Sequence, residues 1–361
     1  MKVSLLLFVV FGVLAACAGA QETTIAVIGL RHSHAWGHLP KMVQGKPAKL
    51  VGVSETSQEL LDEVKKLGVP DKLLFTDYKE MLAKAKPDIV WTFVENDRHR
   101  EIVEACAARK VHVMLEKPLA STFADALAIR QAAKKHGILV LTNYQMAWWT
   151  ENYVAKKQVD DGALGPIWRL HSIIGHGGPG GGAGVRNRFF LEWLADPVKN
   201  GGGALIDFGC YGAVWSLWFM GKPETVFAQT NQLQPDRYPK VDDNSTILLS
   251  YKNGVSIIEG SWDLPAGFQD LEIFSRQGSL IVKRGAVELK KGRGEATKLA
   301  LDPLPEERAE PIAYMVQAAR SGKAPENIVA LDINVDAVEI LEAARQSLKT
   351  GQAVRLPLKA R

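Results

Sequence analysis

The sequence predicts an α/β domain with a Rossmann-type parallel sheet, followed by an α+β domain on a largely antiparallel sheet. Three observations carry this. Apolar runs of strand length alternate with helix-length segments as far as Tyr144. The alternation then stops, and a glycine-rich loop runs from Gly175 to Gly184. From Thr225 to Val287 the runs are short, β-rich and divided by turns such as Lys252-Asn253-Gly254-Val255, an Asn-Gly hairpin signal.

A chain of 361 residues suits two domains at roughly 150 residues each. Hydrophobic content of 47% and charged content of 23% are globular and exclude fibrous or disordered classes. The net charge of +4 is spread without a like-charged block, so no nucleic acid is expected as a partner. Three cysteines exclude a disulfide scaffold, and Cys106 and Cys210 are expected as free thiols.

The start of the chain reads as an export signal. Lys2 precedes an apolar run, Leu5 to Leu14, that is too short to span a bilayer, and small residues come after it. Leu14-Ala15-Ala16-Cys17 resembles a bacterial lipobox that would leave Cys17 as a lipidated N-terminus. Ala18-Gly19-Ala20 also fits ordinary cleavage before Gln21. The lipobox is preferred, which implies a periplasmic or membrane-anchored lipoprotein with the signal in residues 1–20.

Thr24–Gly29 reads as a fully buried first strand and Lys49–Glu55 as the second, with a helix at Ala35–Val43 between them. A helix at Gln58–Leu67, a short strand at Leu73–Phe75 and strands at Asp88–Val94 and Val111–Leu115 come next. Helices at Arg98–Ala108 and Phe123–His136 lead to a sixth strand, Ile138–Thr142. These place a dinucleotide-binding domain at 22–143 and a substrate-binding and oligomerisation domain at 144–358. The second begins with a helix at Glu151–Asp160 and a strand at Ile167–Ile173, and it ends on helices near Glu310–Ser321 and Val335–Thr350.

Glu116-Lys117-Pro118 closes the fifth strand. Pro118 biases Lys117 to an extended backbone at the carboxyl end of the sheet, where open parallel sheets bind ligands. The turn after the first strand, Gly29-Leu30-Arg31-His32-Ser33-His34, keeps one glycine of the G-x-G-x-x-G pattern and offers the Arg31 cation to phosphate. Glu55 ends the second strand, where a carboxylate accepts both ribose hydroxyls and repels a 2′-phosphate. NAD is therefore favoured over NADP. His32, His34 and His38 form H-x-H-x3-H, but no acid or cysteine cluster stands beside them in sequence, so no metal is expected. In Gly201–Tyr211, Asp207 and Tyr211 are four apart and share one face of a helical turn. A nearby Lys117 is expected to lower the tyrosine pKa and complete a proton relay on a sugar hydroxyl. His171, His176, Arg186, Arg188 and Trp193 flank the glycine loop as candidate sugar-pocket residues, with Tyr144 at the entry to the second domain.

These motifs resemble the Gfo/Idh/MocA family of sugar-active, nicotinamide-dependent oxidoreductases over about Thr23 to Leu358. The specific pieces are Glu116-Lys117-Pro118 and Gly201-Gly202-Gly203-x-Leu205-x-Asp207-x-Gly209. His99, Gly162-x-Leu164-Gly165, Val241-Asp242-Asp243, Asn253-Gly254 and Thr350-Gly351 support them. The resemblance implies that Lys117 contacts substrate and nicotinamide ribose, and that Gly29, Leu30, Arg31, His32, Glu55, His99 and Glu116 surround the cofactor. It also implies subunit pairing. The family's acid-base His is replaced by Tyr211, as in the glucose–fructose oxidoreductase-like branch. The expected activity is hydride transfer to or from a sugar or cyclitol hydroxyl, with tightly bound NAD because free dinucleotide is scarce outside the cytoplasm. Two alternatives stand beside it: a glycoside-cleaving enzyme that retains NAD through oxidation and elimination, and a non-redox sugar-binding protein.

Overall fold

The computed structural model describes residues 22–179 and 184–359; the segment expected to be an export signal, with Cys17, lies outside the described residues. Six strands form the first sheet: β1 (Thr24–Ile28), β2 (Lys49–Ser54), β3 (Leu74–Phe75), β4 (Ile89–Thr92), β5 (His112–Glu116) and β6 (Val140–Asn143). Their order is β3-β2-β1-β4-β5-β6, all parallel, so the strand order reverses between β1 and β4. That reversal opens a crevice at the carboxyl ends of the strands. Five helices cover the sheet: α1 (Ala35–Val43), α2 (Gln58–Lys65), α3 (Tyr78–Ala85), α4 (His99–Ala107) and α5 (Phe123–His136). Side-chain caps from Ser57, Asp77 and Thr122 start α2, α3 and α5, and Gly137 in the left-handed region ends α5.

The rest of the chain supplies α6 (Thr150–Asp160), β7 (Ile167–Gly175), α7 (Val185–Leu194), α8 (Ala204–Asp207), α9 (Gly209–Met220) and β8 (Thr225–Asn231). Then come β9 (Asn244–Tyr251), β10 (Gly254–Ser261), β11 (Phe268–Ser275), β12 (Gly278–Lys283), β13 (Ala286–Lys291) and β14 (Ala296–Lys298). The chain ends with α10 (Pro311–Ser321), α11 (Leu331–Thr350) and β15 (Val354–Arg355). The nine strands β7–β15 make one sheet, in which β7 and β10 pair parallel and every other pair is antiparallel. α9 is apolar on nearly every side and buried along Gly209–Leu217, as a helix sandwiched in a core must be. α11 packs against α5 on one side and against α9 and β8 on the other, tying the two sheets together.

Three expectations are corrected. Val185–Leu194 is a helix that sequence reasoning did not assign. Asp207 and Tyr211 lie on two helices, because the backbone breaks at Phe208 between α8 and α9. The β9–β10 hairpin pairs Tyr251 with Gly254, so the two-residue loop is Lys252-Asn253 and Gly254 already belongs to the strand.

Candidate active site

The buried run Val113–Glu116 carries the chain to the carboxyl edge of the first sheet and delivers Lys117 there, itself buried. Its ammonium bonds the Asp207 carboxylate through Oδ1 and the Asp207 carbonyl at 3.2 Å. The other carboxylate oxygen accepts Trp262 Nε1–H at 2.8 Å, from the residue just after β10. α8 is held in place from below. The Asp242 carboxylate accepts the Gly203 and Leu205 amides at 2.9 and 2.7 Å. A Cβ on Gly203 would stand 1.7 Å from the Asp242 carbonyl oxygen, so only glycine allows that approach.

Burial alone would neutralise both partners, but the pair opposes it. Burial is the largest single effect on Lys117 and lowers it, but the Asp207 charge and hydrogen bond together with Tyr211 and Cys210 outweigh it, so its pKa lies above that of a free lysine. Burial likewise raises Asp207, and the Lys117 ammonium with the Trp262 bond holds it below the usual carboxylate range. Tyr211 sits with its ring 5.3 Å from Lys117 Nζ and edge-on to Tyr144 at 5.2 Å. The expected lowering of its pKa is overturned. Burial raises Tyr211 well above an ordinary phenol, and the nearby ammonium offsets only part of that. Lys117 and Tyr211 are thus both in their protonated forms at neutral pH. His176 packs edge-on to Phe208 at 5.1 Å, and burial holds its pKa below the usual imidazole value, so it is neutral. The buried Tyr144 hydroxyl faces the Cys210 thiol. Cys106 and Cys210 are both free, as expected.

Glu116 points to the other side of the strand end. It is fully buried, and its Oε1 accepts Asn143 Nδ2 at 2.8 Å while its Oε2 meets His34 Nδ1 at 2.8 Å. Trp148 Nε1 fixes Asn143 in turn, at 2.8 Å. His32 is buried against His34, Phe190 and Trp193, and desolvation drives its pKa well below the usual value.

The crevice between β1 and β4 fits a dinucleotide. Gly29 has φ +81°, and a Cβ there would come within 2.5 Å of Val94 Cγ1 and 2.8 Å of Val94 N. The turn therefore passes against the strand in a way only glycine permits. Glu55 lies at the end of β2 with Oε2 on the Leu30 amide at 2.8 Å and Oε1 on the Ser57 amide at 3.0 Å. It retains acceptor capacity for ribose hydroxyls. Arg31, where a second glycine is usual, turns its side chain aside to Glu55 at 3.8 Å and Glu95 at 3.6 Å.

Several candidates fall elsewhere. Arg186 stacks on Trp36 at 4.1 Å and pairs with Glu63 at 3.0 Å, and Arg188 pairs with Glu59 at 2.7 Å. Trp193 Nε1 reaches the Arg31 carbonyl at 3.4 Å. These three pin α7 across the dinucleotide crevice and do not line a sugar pocket. His99 is wholly buried beneath the loop after β5, bonded to the Leu119 carbonyl at 3.1 Å, and burial lowers its pKa to about 4. It supports the loop and does not reach a cofactor. His171 stands on the face of the second sheet between Glu259 and Glu272, at 3.4 and 3.3 Å. Trp262 and Asn143 were missed. Each stands one residue beyond, or at the end of, an apolar strand run, and that position is their only trace in the sequence.

A parallel sheet with an NAD-type crevice, joined to a second domain whose helix α8 delivers a carboxylate to a buried lysine, defines the class of two-domain nicotinamide oxidoreductases. Residues 23–144 match the oxidoreductase family with NAD-binding Rossmann fold, and residues 154–281 match the GFO/IDH/MocA C-terminal domain. The chain belongs to the Gfo/Idh/MocA family of oxidoreductases. It is 25% identical to myo-inositol 2-dehydrogenase of Thermotoga maritima over 86% of this chain and 91% of that one. It is 26% identical to D-xylose 1-dehydrogenase (NADP(+)) 2 of Haloferax volcanii, over 82% and 90%. Its fold superimposes on the aldose-aldose oxidoreductase of Caulobacter crescentus complexed with glycerol. The TM-score is 0.78 at 22% identity, covering 93% of this chain and all of that one.

Proposed function

We propose that the protein interconverts a secondary alcohol and its carbonyl on a sugar or cyclitol, with NAD as the hydride partner. The observation that carries this is the buried Lys117–Asp207–Trp262 arrangement at the end of β5, with Tyr211 at its edge. Bound NAD accepts or donates the hydride. Lys117, held charged and aimed by Asp207, donates a hydrogen bond to the reacting oxygen and stabilises negative charge there. Tyr211, protonated at rest, delivers the proton to that oxygen in reduction. The adjacent ammonium stabilises the phenolate left behind, and oxidation runs the same path in reverse. His176 and Tyr144 close the substrate side. Glu55 favours NAD over NADP. The names of the inositol and xylose dehydrogenase relatives support a polyol substrate.

One observation favours a second reading. α7 is pinned over the crevice by two ion pairs and an arginine–tryptophan stack, which suits a cofactor that stays bound through turnover. A retained NAD would supply a reversible hydride acceptor, so that oxidation of the sugar, elimination of the neighbouring alkoxide, addition of water to the resulting enone and return of the hydride would cleave a glycoside without net redox change. The leader sequence supports a protein exported to the periplasm or held there by a lipid on Cys17, and the mass of the mature N-terminus decides between the two.

Denaturing the purified protein and assaying released nucleotide tests the cofactor, and a polyol panel with added NAD tests turnover. NADH formation is the expected result. Aryl-glycoside cleavage without NADH selects the second reading. Absence of both nucleotide binding and turnover leaves only a sugar-binding protein.

A further inference from the structure

Among the described residues, one group of three donor side chains converges on a point that suits a single metal ion: His32, His34 and Glu116, with ligand atoms within 4.8 Å of one another. In the sequence the H-x-H pair stands without an acid. The fold brings one from the end of β5, 82 positions away. We propose that these residues form a binding site for a divalent first-row transition-metal ion of the Zn²⁺ or Mn²⁺ class, open on one side to an oxygen ligand.

The geometry supports it in three ways. His34 Nδ1 and Glu116 Oε2 are 2.8 Å apart. Two ligands about 2.1 Å from one ion and at right angles to each other sit roughly 3 Å apart, so little movement is needed for an ion to replace the shared proton. The outer partners are already placed. Asn143 holds Glu116 Oε1 at 2.8 Å and Trp148 holds Asn143 at 2.8 Å. Gln145 Nε2 lies 3.4 Å from His34 Nε2, and turning that amide over would present its oxygen to accept the ring proton once Nδ1 binds metal. Such second contacts orient ligands and fix tautomers in metal sites. His32 is also held in place: its Nδ1 accepts the His34 amide at 3.2 Å, so that lone pair is taken and an ion would bind through Nε2, displacing its proton.

The donor set selects the metal. Two imidazoles and a carboxylate suit Zn, Mn, Fe or Co better than Ca or Mg, which prefer oxygen donors. Glu116 is fully buried, whereas the His34 side chain keeps 23% of its surface exposed, which provides both entry and an open coordination position. This assignment does not depend on the hydride-transfer reading, because its test reads metal and not turnover.

The experiment is titration of chelator-treated mature protein with Zn²⁺ and Mn²⁺ by calorimetry, and with Co²⁺ and Cu²⁺ by absorption and electron paramagnetic resonance. One equivalent should bind, and the Cu²⁺ spectrum of the unaltered protein should show coupling to two imidazole nitrogens. His34→Ala and Glu116→Gln should each weaken binding at least 50-fold and Asn143→Ala about 10-fold. His38→Gln should change nothing, since that ring stacks on Trp91 at 4.3 Å and is not a ligand. Absence of stoichiometric binding overturns the proposal. So does equal affinity in a His32→Ala/His34→Ala variant with an unchanged melting temperature, which would mean an adventitious ion only. If the variants do not fold, a Cu²⁺ spectrum without imidazole coupling in the unaltered protein overturns it equally.

Discussion

Lys117 and Asp207 each make the other's buried charge tolerable, so removing either one strands its partner. Asp207→Asn leaves an ammonium buried without a counter-charge, which costs on the order of 3–5 kcal/mol and is measured by urea unfolding. The pH dependence has a definite sign. Asp207 is depressed in the folded state, so its contribution is present above the ordinary carboxylate range, about pH 4, and is lost on acidification through the lower folded value. Lys117 is raised, so its contribution is complete below about pH 10 and is lost only as pH climbs through the still higher folded value. Melting temperature against pH should therefore fall at the acid end in the native protein and lose part of that slope in Asp207→Asn. Tyr211→Phe should lower kcat by about 10²-fold or more while NADH affinity, read by fluorescence titration, stays unchanged. Lys117 and Asp207 were readable because each closes an unmistakable pattern, an apolar strand before proline and a glycine run. The state of Tyr211 was not. A sequence shows that a lysine motif exists, but not how completely α9 is buried, and burial outweighs the lysine.

At the scale of elements, α7 is the part that reasoning from sequence did not reach. Gly184 provides no side-chain cap, and the helix has neither an acid in its first turn nor a base in its last. Its stability comes from Trp36, Glu59 and Glu63 on the first domain, contacts that local propensity cannot reveal. The arginines are 38% and 52% exposed, so each pair is worth about 0–1 kcal/mol. Arg186→Ala with Arg188→Ala should accordingly speed NADH release up to about tenfold in stopped flow without changing the fold. Regular helices such as α5 were placed to the residue because Thr122 and Gly137 mark both ends. The two-sheet plan was readable for the same reason, since alternation and turn chemistry are local signals.

At the scale of the whole molecule, one apolar cluster runs without interruption from Trp91 and Met114 of the first sheet to Tyr211 of α9, Ile258 of β10 and Leu341 of α11. Calorimetry should therefore show a single unfolding transition, and a chain truncated after Ala330 should fail to fold, having lost the helix that touches both sheets. The two halves also meet through polar joints. Asn96 Nδ2 donates to Asn200 Oδ1 at 2.7 Å, and Lys117 crosses to Asp207. Lys117 is thereby also a latch between the lobes. Swinging the lobes apart as rigid bodies would tear a buried ion pair open, and lifting α7 would part the buried Trp193 from His32 as well as break two exposed ion pairs.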